Sequence, residues 1–414
     1  MNEIQEKFLE ALKASLEGQS VSWEEPLKIK QWKELFQLAE MHHVLPLVYE
    51  AVAHSRAAEQ ADSQFMAAFK WKIVQQVSMQ ALKTESFLCL LECLNQKGLF
   101  PITVKGIVCR NLYPKPDYRI SGDEDILILQ EQYKNYHQAF MDSGLQVVGE
   151  ETDIEEEFEV TYMAKKGTLY IEAHKALFSP KSDAYGDFNR FFEQSEKRAA
   201  EIEIDGRMVR TLGHTDHFFY LICHAFKHFL HSGFGIRQVC DIIMYAEHYG
   251  KEIDWQQILK QCQEIHAEYF TVALFKIGNR YLGFDIEKAC ISRDWQKMKI
   301  DESMMLEELL AAGVYGYESR SRMHSSNITL NAVSEQWHGK KGNKVVKTIF
   351  LPRESLEKKY QYLKKHKWLL PAAWIQRIFG YYRESKKTPN SDMLESLQIG
   401  KVRLDLMRAY KIIE

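Results

Sequence analysis

At 414 residues the chain is too long for one core, so two or three packed units are expected. A formal charge of −3 and a pI near 6.6 give no global positive field to recruit nucleic acid, and 45% hydrophobic residues is an ordinary globular share. No apolar run reaches the roughly 18 residues of a membrane span, and the charged start Met1–Lys7 lacks the apolar stretch of a signal peptide. Seven scattered cysteines (Cys89, Cys93, Cys109, Cys223, Cys240, Cys262 and Cys290), with no Cys-x-x-Cys, suit reduced thiols in a cytosol.

Along the chain the texture changes twice. Residues 4–96 carry apolar positions at helical spacing, as in Phe8, Leu9, Leu12 and Leu16, with further stretches at Trp32–Met41 and Met66–Gln96. From Leu99 to about Ile204, short apolar runs (Pro101–Val104, Asp125–Leu129, Phe158–Met163, Leu169–Ala173) are broken by Gly- or Pro-containing turns, which predicts strands. A helix is expected over Glu131–Asp142, closed at Gly144. Phe158–Met163 and Leu169–His174 flank Lys165-Lys166-Gly167 as a hairpin would. After Thr215 the pattern is helical again: His217 to about His231, Ile236–His248, Trp255–His266 and Ala267–Leu282. The fold class expected is α+β, a small mixed-sheet core flanked by N-terminal and C-terminal helical regions.

The segment Arg119–Leu129 holds the strongest chemical signal. Asp123 and Asp125 lead into four branched apolar residues, the pattern of a buried strand. Alternation would set both aspartates on one face, about 6–7 Å apart, with Glu124 pointing away. Two carboxylates so fixed can seat a divalent cation while leaving room for phosphate oxygens. The plainer reading is a surface turn, for which Ser121-Gly122-Asp123 is suitable chemistry.

Val104-Lys105-Gly106, then Tyr113-Pro114, Arg119 and Asp123–Ile128, together resemble an "LKG…YP…R…DIDLLV" pattern. Ile171-Glu172-Ala173-His174, Cys223–His228, Val239–Ile242, Asp254-Trp255 and, toward the end, Leu351-Pro352, Trp368–Pro371 and Arg377 extend it. In these motifs the chain resembles the bacterial uncharacterised nucleotidyltransferase family, within the DNA polymerase beta-like nucleotidyltransferase superfamily. The resemblance implies a helical region at 1–98, a nucleotidyltransferase-like α/β core at 99–205, a helical domain over the cleft at 206–295 and a helical extension at 296–414. It also implies an enzyme that moves a nucleoside monophosphate from an NTP such as ATP to a hydroxyl acceptor. That acceptor is unidentified: a small molecule, a glycan precursor or a protein. Mg²⁺ or Mn²⁺ would be held by Asp123, Asp125 and Glu172. Lys105, Gly106 and Arg119 would meet phosphate, and His174, His224, Lys227, His228 and Asp241 are candidate substrate contacts. The chain departs from the superfamily pattern at the phosphate turn, which is Gly106-Ile107 rather than Gly-Ser or Gly-Gly. An inactive binding or scaffold protein with the same fold is therefore the alternative.

Two features stand outside this scheme. His224 and His228 are four apart on one helix, as zinc ligands would be, and with Asp241 they could form a metallohydrolase site; no Glu beside His224 is placed to act as base. Between Arg353 and Lys387 ten Lys or Arg face three Glu, interleaved with Trp368, Trp374, Phe379, Tyr381 and Tyr382. Such a segment suits either peripheral contact with an anionic membrane or a solvated lysine face backed by docked aromatics.

Overall fold

The computed structural model describes residues 1–149, 154–312, 320–338, 353–356, 360–385 and 393–414. Helix α1 (Glu3–Leu16) begins at a reciprocal cap, in which Asn2 Oδ1 accepts from the Gln5 N–H and Gln5 Oε1 from the Asn2 N–H, each at 2.9 Å. Its stripe Ile4, Phe8, Ala11 and Leu12 is buried against α2 (Ile29–Met41) and α3 (Leu45–Val52). After the single turn α4 (Arg56–Glu59), Asp62 caps α5 (Ser63–Gln96), a 34-residue rod about 50 Å long. The C-terminal half of α5 buries Gln80, Lys83, Thr84, Phe87, Leu88 and Leu91.

The sheet has seven strands: β1 (Ile102–Val104), β2 (Glu124–Leu127), β3 (Leu145–Val147), β4 (Glu159–Ala164), β5 (Tyr170–His174), β6 (Ala200–Ile204) and β7 (Arg207–Thr211). Their spatial order is β3-β4-β5-β2-β1-β7-β6, parallel at β2·β5 and β1·β7 and antiparallel elsewhere. Between β1 and β2 lies the short α6 (Gly106–Arg110), and α7 (Tyr133–Asp142) precedes β3. Tyr162 of β4 packs on Tyr133, His137 and Phe140 of α7, so α7 covers the face of the sheet opposite to Thr161 and its neighbour Glu172.

The mixed α/β architecture is as expected, but the sheet is larger than a small core. The β6–β7 hairpin turns at Asp205-Gly206, both at positive φ, and Ile202, Ile204, Val209 and Thr211 are buried while the strand residues between them are not. Asp-Gly between alternating runs is a strong hairpin signal, and the boundary expected at 205 passes through it.

Beyond the sheet, α8 (His214–His231), α9 (Ile236–Tyr249), α10 (Trp255–Glu264) and α11 (Glu268–Tyr281) pack together. Helix α8 ends where expected, at Ser232-Gly233, but begins at His214 after Gly213, with no side-chain cap. Helices at Arg320–His338 and Met393–Ala409 brace it: Thr329 Oγ1 donates to the Leu230 carbonyl at 2.7 Å and Arg403 to the His231 carbonyl at 2.8 Å. Arg403 thus satisfies carbonyls at a helix end, where a cation is favoured. One hydrophobic core runs from Ile4 to Ile413. Leu356, Leu363 and Ala373 form a separate small cluster with Trp374 packed on it, while Trp368 is exposed. These contacts lie within the expected basic aromatic segment, of which residues 357–359 and 386–387, and the side chains of Phe379, Tyr381 and Tyr382, lie outside what is described. Among the described residues no helix is long and apolar enough to cross a membrane.

Candidate nucleotide and metal site

Parallel pairing of β2 with β5 sets Asp125 directly beside Glu172, and His174 follows two residues on, on the same face. Oxygens of Asp125 and Glu172 and a ring nitrogen of His174 lie within 4.8 Å of one another, a set that could hold a metal ion. His174 Nε2 is 3.0 Å from Asp125 Oδ1 and 3.6 Å from Glu172 Oε2, and its Nδ1 is 3.3 Å from Glu159 Oε2 on β4. Crowding of acids has an electrostatic cost. Burial, then the charges of Asp125 and Asp123, push the Glu172 carboxyl up to about 8. Burial alone would raise Asp125 too, but the Lys105 ammonium and His174 outweigh it and hold that carboxyl well below the usual range.

The cation already present is Lys105, whose Nζ is 2.9 Å from Asp125 Oδ2 and 3.0 Å from His224 Nε2. Lys105 sits at φ +52, between β1 and α6. That uncommon backbone is held by His217, whose Nε2 accepts the Lys105 N–H at 3.0 Å. Thr211 Oγ1 donates to the Thr103 carbonyl at 2.7 Å and so receives the His217 Nδ1–H at 2.9 Å. The ring must be neutral to do both, and burial lowers its pKa to about 3.

Glu124 points away from the aspartates, as alternation requires, and is fully buried. Its Oε2 accepts the Ile107 N–H at 2.8 Å and its Oε1 pairs with Arg110 at 2.7 Å, so a carboxylate of the chain itself fills the turn at Gly106. The loop before β2 is clamped from both sides. Gln80 Oε1 accepts the Ser121 N–H at 2.9 Å, Lys83 donates to the Ser121 carbonyl, and Arg237 of α9 donates to the Ile120 carbonyl.

Several expected residues stand elsewhere. Asp123 lies half-buried just before β2; its charge acts on Lys105 and Glu172, but it is not in the converging set, where His174 takes the third place. Arg119 is buried in a two-point pair with Asp241, its Nε 2.8 Å from Oδ1, and Tyr113 donates to the same oxygen at 2.8 Å. Both groups serve to fix the loop rather than face the carboxylates. The metallohydrolase set of His224, His228 and Asp241 is therefore not assembled: Asp241 belongs to Arg119, while His224 turns to Lys105. The His224 and His228 rings lie 4.6 Å apart on α8, and Lys227 is close enough for its charge to act with those of Glu159, Asp125 and Glu172. Sequence reasoning missed Glu159, His217 and the Glu124–Arg110 pair, because each acquires its role only through strand register or long-range packing. The one local signal was Glu159 at hairpin pairing distance from His174.

A sheet face of this make-up could hold a cation. Residues 29–283 match the model of the uncharacterised nucleotidyltransferases, and the chain belongs to that family. Neither the curated proteins nor the solved structures provide a match.

Proposed function

We propose that the protein is a metal-dependent nucleotidyltransferase that moves a nucleoside monophosphate from an NTP to a hydroxyl of an acceptor. The observation that carries this reading is the convergence of Asp125, Glu172 and His174 on one face, next to a buried lysine. A divalent cation fits these residues: two carboxylate oxygens and an imidazole nitrogen are a common donor set, and a cation would relieve the repulsion that raises Glu172. Mg²⁺ and Mn²⁺ are the candidates, and the imidazole tilts the set toward Mn²⁺. When bound, the metal would neutralise phosphate charge and orient the reacting groups.

The chain's own groups would do the rest by positioning and charge. His174, held between Asp125 and Glu159, keeps the carboxylates in place. Lys105, fixed by His217, presents its ammonium beside them. Asp123, at the open end of β2, is the acid left to meet a second cation or the acceptor. In the reaction, the acceptor oxygen bonds to the α-phosphorus, the bond to the bridging oxygen breaks, pyrophosphate leaves and the hydroxyl proton passes to solvent. Seven free thiols support a reducing compartment such as the cytosol.

One observation favours a second reading, a binding protein that does not transfer. Glu124 occupies the turn that would otherwise offer amides to phosphate.

A thermal-shift panel of the four NTPs with Mn²⁺ or Mg²⁺ tests nucleotide binding. At a hundredfold excess over Kd, binding should stabilise the wild type by about 2.7 kcal/mol, a rise of a few degrees, and Asp125→Ala should lose the rise. No shift with any NTP, or an equal shift in the variant, would sink the proposal.

A further inference from the structure

A glycine turn running into a helix offers backbone N–H groups to phosphate. Here that place is taken. Glu124 Oε2 holds the Ile107 N–H at 2.8 Å and lies 2.3 Å from where a Cβ on residue 106 would stand, leaving no room for a phosphate oxygen. Arg110, the nearest guanidinium in sequence, is consumed by the same carboxylate and by Ser121 Oγ at 2.9 Å. Arg119 is equally committed, to Asp241. The phosphates of an NTP must therefore find their donors on another element.

Helix α8 offers them. Tyr220, His224, Lys227 and His228 are spaced at four, three and one along it, so they line one side of the helix. His224 places that side over the carboxylates, through Lys105. The contact also fixes the histidine's proton. An ammonium can only donate, so His224 Nε2 accepts from Lys105 and the single ring proton sits on Nδ1. That Nδ1–H is buried and has no hydrogen-bond partner among the described residues. A buried N–H donor without an acceptor is costly, so this one calls for a partner, which a water or a ligand oxygen would supply. The His228 ring lies 4.6 Å from that of His224, tilted by 33°, and Lys227 comes just before His228 on the same side of the helix. Burial and the Lys105 charge lower the Lys227 pKa, and the charges that oppose them are those of Glu159, Asp125 and Glu172 on the sheet. Cations on the helix thus face acids on the sheet. A polyanion with its own bound cation matches that division, because the metal meets the acids and the free phosphate oxygens meet the helix.

We propose that the triphosphate is gripped by side chains of α8, with His224 Nδ1–H, Lys227 and His228 acting alongside Lys105, and not by the amides of the β1–α6 turn. This rests on the nucleotide-binding reading above and specifies how the same site would hold its ligand.

Calorimetric titration of the full chain in Mn²⁺ tests it, with two probes: ATP and inorganic tripolyphosphate, which has no base or sugar. Lys227→Met and His228→Gln should each weaken both probes by about tenfold or more, the effect of losing one charge-assisted phosphate contact. Lys227→Arg should recover most of the affinity. Mn²⁺ binding without nucleotide, followed by electron paramagnetic resonance, should be retained and no weaker in Lys227→Met, which also reports that the variant is folded. Wild type binding ATP and tripolyphosphate with both variants equally tight would overturn the grip while leaving the nucleotide reading intact. Wild type binding neither probe would overturn both.

Discussion

A methyl group on residue 106 would fall 2.3 Å from Glu124 Oε2, at a backbone φ of +25 that L side chains rarely adopt. The pair gives a reason for Lys-Gly at this point of the chain: the glycine leaves room for a buried carboxylate of the protein itself. Gly106→Ala would push Glu124 off Arg110 and strand a buried guanidinium. It should cost about 3 kcal/mol or more, read by urea denaturation, and a variant as stable as the wild type would refute the packing described. Asp125 illustrates the opposite case. Its place on the sheet face is legible, because Asp-x-Asp before an apolar run can be read from alternation alone. The third member of the set was less so. The cluster found on that face contains His174 and not Asp123, because parallel register between β2 and β5 decides which side chains meet, and register is not written in either strand alone.

Strands β1, β2, β4 and β5 could be foreseen, since each is a short apolar or alternating run between turn residues. Strand β3 has three residues and no distinguishing pattern, and it exists because β4 offers it an edge. The β6–β7 hairpin carried a readable Asp-Gly turn, and its alternation Ile202, Ile204, Val209 was equally visible. Helix α8 was legible as a helix, and its four-residue histidine spacing suggested zinc. What overrules zinc is the element facing it: β1 delivers Lys105 to His224, and α9 gives Asp241 to Arg119. The same contact makes α8 the element on which the nucleotide proposal turns, so the Lys227 and His228 variants test it at this scale.

At the scale of the whole molecule, one core joins the N-terminal helices, the sheet and the helices after it, and buried histidines lie along that core. His42, stacked 5.5 Å from Phe8 and fully buried, has its pKa lowered by burial from 6.5 to about 4. Above pH 6.5 neither state is protonated there and no penalty applies. As pH falls from 6.5 toward 4 the unfolded chain takes up a proton that the folded one refuses, and stability drops. The loss approaches about 3 kcal/mol by pH 4. Denaturation free energies at pH 7.5 and 4.5 should therefore converge for His42→Phe more than for the wild type. An equal pH dependence in both would contradict a neutral buried His42.

The central claim, nucleotidyl transfer at the Asp125 face, is tested most directly by incubating the protein with α-phosphate-labelled NTPs, Mn²⁺ and a panel of hydroxyl acceptors. Label transfer and pyrophosphate release would be followed together. The account predicts that both appear in equal amounts, require the metal and vanish in Asp125→Asn. Transfer undiminished in Asp125→Asn, or no transfer to any acceptor by a wild type that binds the NTP, would contradict it.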